Sequence, residues 1–150
     1  MIDIRKRVLE VLNNTHLMSL GTSDKDGIWV ADVIFLYDED LNIYWLSAPD
    51  CRHSKAILEN NKVAGSITYS TKNKELNFGI QLEGEVERLE GIRFDLIIKH
   101  WTKRNHKIPD ISKALEVLGG DCWYKLTPTR IELIDEENFG FDRQKLKIVK

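Results

Sequence analysis

The sequence predicts an α+β fold, an antiparallel barrel or sandwich of six or so strands decorated by helices, and three observations carry this. Runs rich in β-branched and aromatic residues recur along the chain and are joined mostly by short turns. The stretch "GIQLEGEVERLEG" (79–91) alternates cleanly, with Ile80, Leu82 and Val86 on one face and Gln81, Glu83, Glu85 and Glu87 on the other. Helical periodicity appears only at a few insertions, so the strand–helix alternation of a doubly wound sheet is not sustained. Closing such a sheet would also remove its exposed edges.

In chain order, Ile4, Val8, Val11 and Leu12 form one stripe at helical spacing, ended by Asn13-Asn14. "HLMSLGT" reads as a buried strand closed by the turn "SDKDG". "IWVADVIFLY" (28–37) is the strongest strand signal. The turn "DEDLN" leads to its hairpin partner "IYWLS". A short helix over 50–61 follows, then the strand "VAGSITYS", the polar turn "TKNKE" and the alternating strand. Phe94, Ile97, Ile98 and Trp101 are spaced as an amphipathic helix, as are Ile111, Ala114, Leu115 and Leu118, stopped by Gly119-Gly120. "CWYKLTPTRIELI" returns to strand, and an "FGF" lies in a polar tail. There is no internal repeat, low-complexity tract or linker, so 150 residues fit one domain, 1–150, able to bury a real core.

Composition narrows the function classes. A net charge of −2 argues against a general nucleic-acid binder. Basic residues are not interleaved with the aromatic ones, which disfavours a single-stranded nucleic-acid barrel. No run approaches the roughly 18 apolar residues of a membrane span, and the first residues lack the apolar core and cleavage site of a signal peptide. Cys51 and Cys122 are far apart with no CxxC spacing, so a cytoplasmic location is expected.

Catalytic constellations are scarce. His16, His53, His100 and His106 show no metal-binding spacing, and no metal site is expected. Glu83, Glu85 and Glu87 share one strand face and would repel one another, which reads as a solvated outer face rather than paired-carboxylate catalysis. Cys51 beside Arg52 and His53 has the surroundings that lower a thiol pKa. No nucleophile elbow or phosphate-binding glycine loop is present, so catalytic residues stay unassigned.

"SAPDCRHSKAILENN" (47–61) is the exception. Arg52, His53 and Lys55 crowd the start of a helix, where basic side chains run against the helix dipole. With Asp50 as cap, the free backbone N–H groups, the Arg52 fork and the Ser47 hydroxyl would make a phosphate site. A solvated first turn, paired with Asp50 and Glu59, fits the same residues. Local physics leaves both readings open.

"IYWLSAPDCRHSKAILENNKVAGSI", "GIQLEGEVERLEG" and "WYKLTPTRIELI" together resemble the pyridoxamine phosphate oxidase-like FMN-binding split barrels, most closely a small, little-characterised bacterial branch. The resemblance runs from about residue 15 to 142. Each motif is weak alone; three in the same order at similar spacing are fairly specific. The resemblance implies an α+β split β-barrel of six or so antiparallel strands with peripheral helices. It further implies a homodimer with FMN in a groove at its interface.

On that resemblance Ser47, Arg52 and His53 correspond to the phosphate-binding positions, and Leu46 beside them is a further expected cofactor contact. Asp32, Val33 and Ile34 fall within the strand (Ala31 to Leu36) whose backbone follows the flavin. Gly79 and Gln81 lie on the strand near the ring edge. There are departures: Ala31 and Leu36 stand where the vitamin-synthesising oxidases carry basic residues, and His53 replaces a lysine. No equivalents hold a substrate phosphate, so a true pyridoxamine phosphate oxidase is not expected. Trp29, Trp45, Trp123, Phe35 and Phe139 are candidate walls or core residues. Two classes remain: an FMN-dependent oxidoreductase on a small substrate, with NAD(P)H as a possible electron donor, or a flavin-binding or flavin-free module without turnover, such as a sensor or carrier.

Overall fold

Strand β3 (Ile43–Ser47) pairs on both of its edges, and this closes the sheet. In the computed structural model, which describes residues 1–149, its neighbours are β2 (Gly27–Tyr37) and β6 (Cys122–Asp135). The other strands are β1 (Leu17–Asp24), β4 (Lys62–Thr68) and β5 (Phe78–Arg88). Around the barrel the order is β3-β2-β1-β4-β5-β6, antiparallel throughout, with a two-residue β7 (Gln144–Lys145) added beside β6. This is the α+β antiparallel barrel that the alternating runs predict.

The side-chain alternation decides what faces inward. Met18 and Leu20, Val33 and Phe35, Ile43 and Trp45, Ile80 and Leu82, and Tyr124 and Leu126 fill the interior. Trp45 and Tyr124 stack at 5.9 Å across β3 and β6. Burying a ring such as Phe35, fully enclosed here, stabilises by roughly 1.5–3 kcal/mol. Helix α1 (Ile4–Asn14), capped by Asp3, adds Val8, Val11 and Leu12 to this core and packs on β4, β5 and β6. Helix α2 (Arg52–Glu59) packs on β1 and β2 through Ser54, Ala56 and Ile57.

A second cluster lies outside the barrel, where Leu36, Tyr44 and Trp123 meet Leu96 and Ile97 of α3 (Phe94–Lys103) and Ala114 and Leu118 of α4 (Ala114–Leu118). Here the sequence expectation needs correction. Phe94 and Ile98 are exposed, because α3 turns Leu96 and Ile97 to the barrel. The second helix is a 3-10 turn (Ile111–Lys113) followed by one short helix, with Ile111 and Leu115 outside the core. The polar tail also carries a one-turn helix, α5 (Glu136–Phe139), capped by Asp135.

Helices α3 and α4 cover the outer face at Leu36, Tyr44 and Trp123, while outward side chains of β1 and of the first half of β2 stay exposed. Leu17, Ile28 and Val30 are 43%, 78% and 60% exposed there. Registers align the outward side chains in rows, Asp32–Ser19–Ser66–Gln81 and Val30–Gly21–Ala64–Glu83. Small residues at the middle of each row make this face shallow. Glu83, Glu85 and Glu87 are solvated, as expected.

Candidate functional site

The strand β3 ends at Ser47, and the turn 48–51 aims the start of α2 back over the barrel end. The cap is Cys51, not Asp50, and its side chain makes no capping hydrogen bond; its thiol donates instead to the Ala48 carbonyl at 3.0 Å. The helix-start N–H groups therefore have no side-chain acceptor. Ser47 Oγ lies 2.9 Å from His53 Nε2, and Cys51 Sγ is 3.3 Å from the same nitrogen and 3.1 Å from Ser54 Oγ.

Arg52 bears on the two readings of this turn. Its guanidinium sits 4.4 Å from the centre of the Trp29 ring, and among the described residues it forms no ion pair. Glu59 instead accepts from the Lys25 backbone at 3.3 Å. A paired, self-neutralised first turn is therefore not what forms. The turn presents an unpaired guanidinium, uncapped helix N–H groups and two neutral hydrogen-bonding side chains. That set fits a phosphate.

His53 is not a second cation there. Burial pushes its imidazole below the ordinary 6.5, so the unfolded chain takes up that proton first. The stability contributed by His53 is present above the unfolded value and is lost as pH falls from there towards the folded pKa. A His53→Gln variant is expected to flatten this acid-side loss. Urea unfolding of both proteins at neutral pH and at mildly acidic pH measures it; parallel losses would count against a buried neutral ring.

The other expected positions divide between two places. Val33 points into the core, so only its backbone could follow a ligand, and Leu46 packs against the outer cluster. Asp32 is exposed and accepts a 2.7 Å hydrogen bond from Ser19 Oγ; Ile34 is half-buried on the same outer face. Gln81 is exposed on that face too, three strands away from Asp32 in one row, which at about 4.8 Å per strand is about 14 Å. Gly79 has a packing reason of its own, since a Cβ there would meet the Ile67 carbonyl oxygen at 2.5 Å.

Gly79 and Gln81 also line a cavity of about 460 Å³ with Ser66, Thr68, Phe141 and Arg143. The turn carrying Phe141 begins at Gly140, at φ 60°, and leaves that ring 94% exposed. One chain thus brings Ser47, Arg52 and His53 together and keeps Gln81 on a separate part of the surface. Sequence reasoning missed Ser19 and Ser66 as members of the row, although the register of two alternating strands could have found them. Of the aromatic candidates, Trp45, Trp123 and Phe35 belong to the core and Phe139 packs against it; Trp29 is the one at the turn. Among the described residues no cluster of three or more His, Cys, Asp or Glu could hold a metal, and no helix is long and apolar enough to cross a membrane.

No protein-family model matches the chain. A "UPF0306 protein" of Klebsiella pneumoniae (strain 342) is 32% identical over 134 residues, covering 89% of this chain and 85% of that one. Among solved structures, a putative pyridoxamine 5'-phosphate oxidase from Listeria innocua superposes with a TM-score of 0.66 at 16% identity, over 88% of this chain and 98% of that one. A heme binding protein from Mycobacterium smegmatis superposes with a TM-score of 0.72 at 12% identity, over 97% of this chain and 58% of that one. At these identities the superpositions speak to fold.

Proposed function

Because the chain belongs to the UPF0306 family, built on the pyridoxamine phosphate oxidase-like split barrel, we propose that it binds FMN and works as an FMN-dependent oxidoreductase on a small substrate. The observation that carries this reading is the turn at Ser47, with its unpaired Arg52 beside uncapped helix N–H groups. FMN would supply the redox chemistry, accepting and passing on hydride or electrons. The chain's own residues would place it. Arg52, Ser47 and His53 would take the phosphate, the backbone of Asp32 to Ile34 would follow the ring, and Gln81 would offer hydrogen bonds at its edge.

Homodimerisation belongs to the same reading. The outer face of β1 and β2 exposes Ile28 and Val30 toward one end and Leu17 beside Ile34 toward the other, apolar surface of the kind that marks an interaction site. A second copy laid on that face would cover it and bring a second set of groove residues toward the turn. Within 1–150 the fold is then a single FMN-binding unit in a cytoplasmic protein.

Two structural neighbours are a heme binding protein from Mycobacterium smegmatis and a heme storage protein from Vibrio cholerae, but two of the four imidazoles here are already engaged. His53 is engaged with Ser47, and the His100 ring packs edge-on against Trp101 and Trp123 at 4.6 and 6.0 Å.

Turnover separates an enzyme from a carrier of the same fold. FMN bound to the protein is expected to be reduced by NADH or NADPH, or reoxidised by a small acceptor, faster than free FMN. Stopped-flow absorbance across a donor and acceptor panel checks this. Rates equal to those of free flavin throughout would leave a flavin-binding sensor or carrier.

A further inference from the structure

A charge withdrawn from water is normally paired. Lys103, at the end of α3, is half-buried and is not. Its Nζ donates to the Leu12 carbonyl at 3.1 Å and the Phe35 carbonyl at 3.2 Å, and lies 3.8 Å from the centre of the Phe35 ring. Among the described residues it forms no ion pair. Two neutral carbonyls and a ring face hold the ammonium in place without cancelling its charge.

Two cavities share Lys103 in their walls. One, of about 310 Å³, is walled by Lys103, Arg104, His16, Thr15 and asparagines, with no carboxylate. The other, of about 350 Å³, runs along Leu36, Tyr37 and Ile98, again with no carboxylate. In a chain of net charge −2, a polar chamber holding three basic side chains and no acid, opening beside an apolar one, is a specific combination. It also lies at the C-terminal end of α1, whose carbonyls repel anions, so the basic groups must outweigh that end.

We propose that this groove between α1 and α3 is a second ligand site, for a small anionic amphiphile. The acid group would sit against Arg104, His16 and the field of Lys103, and the apolar body along Leu36, Tyr37 and Ile98. Aromatic carboxylates fit that description. The site shares no residue with the phosphate-binding turn and meets the flavin strand only at its last residue, Leu36.

Burial brings Lys103 down to about 8, so the charge facing the ligand would be lost as pH rises through that value. The other groups lining these cavities are Tyr37, which burial holds above its ordinary value, Lys99 on α3, Arg104 just after it, and His16 just before β1. Glu10 and Glu39 line the adjoining outer groove.

Calorimetric titration with benzoate and with its neutral counterpart benzamide tests the proposal on the full chain. Benzoate is expected to bind and benzamide to bind more weakly, with benzoate affinity falling as pH rises through about 8. Lys103→Met, which replaces a half-buried cation by an apolar side chain, is expected to weaken benzoate roughly tenfold to a hundredfold and to remove the pH dependence. Arg104→Gln, at a half-buried position that leaves the packing of Lys103 intact, should weaken benzoate about tenfold and leave FMN titration unchanged. Equal binding of benzoate and benzamide, no benzoate binding at all, unaltered affinity in both variants, or displacement of benzoate by FMN would overturn it.

Discussion

Replacing Arg52 by Ala is expected to weaken FMN binding and leave riboflavin binding nearly unchanged. A charge-assisted contact is worth roughly 1.5–3 kcal/mol, which is about tenfold to a hundredfold in affinity. Arg52 is exposed in the free chain, so solvent competes with the ligand and the loss should fall at the lower end, about tenfold. The fold should survive the change, because the stacking of Arg52 on Trp29 is an exposed cation–π contact of about 0.5–1 kcal/mol. Arg52→Lys keeps the charge but loses the planar fork, and should fall between the two. Fluorescence titration with FMN and riboflavin measures all three proteins. Equal losses for both ligands would place Arg52 at the ring or in folding, not at a phosphate.

Asp135→Ala should cost far more stability than any change at the turn. Asp135 is 1% exposed and accepts 2.8 Å hydrogen bonds from Arg7 Nε and Asn138 Nδ2. It ties α1 to the end of β6 and caps α5, the element that leads into the Phe141 turn. Removing one partner of a buried pair typically costs about 3–5 kcal/mol; Arg7 is 21% exposed and can be partly rehydrated, so about 3 kcal/mol is expected. Against a total of roughly 5–15 kcal/mol this is a large fraction. Burial alone would raise the Asp135 pKa, but the hydrogen bonds from Arg7 and Asn138 outweigh it and hold the carboxylate below its ordinary range. Its contribution is therefore present above the unfolded carboxylate value and is lost as pH falls through the lowered folded one. Urea denaturation at neutral pH and in acid should show Asp135→Ala both less stable and less acid-sensitive. An unaltered midpoint would mean that the pair holds nothing together.

The barrel was legible because its rule is simple. Each strand with a period of two states which residues go inside, and Met18, Leu20, Ile80 and Leu82 went there. The α3–α4 region was not legible, because Phe94, Leu96, Ile97 and Ile98 offer more than one apolar stripe. Only the position of Leu36, Tyr44 and Trp123 on the barrel surface selects Leu96 and Ile97. The basic turn could be found from residue order, but its cap could not: Asp50 is the better capping residue by type, while the chain path puts Cys51 in that position. Gln81 was singled out by family resemblance, and its place three strands from Asp32 needed the strand registers. Lys103 was invisible, because a lysine late in a helix ordinarily serves the helix end; its burial comes from α1 and β2, distant in sequence.

Analytical ultracentrifugation of the protein with FMN, followed at the visible flavin absorbance, tests the central claim in one measurement, since it reports whether flavin binds and to what assembly. A groove completed by a second copy predicts that the colour sediments with the protein at twice the mass of one chain. Colour that stays with the buffer, or that travels at the mass of a single chain, would contradict it.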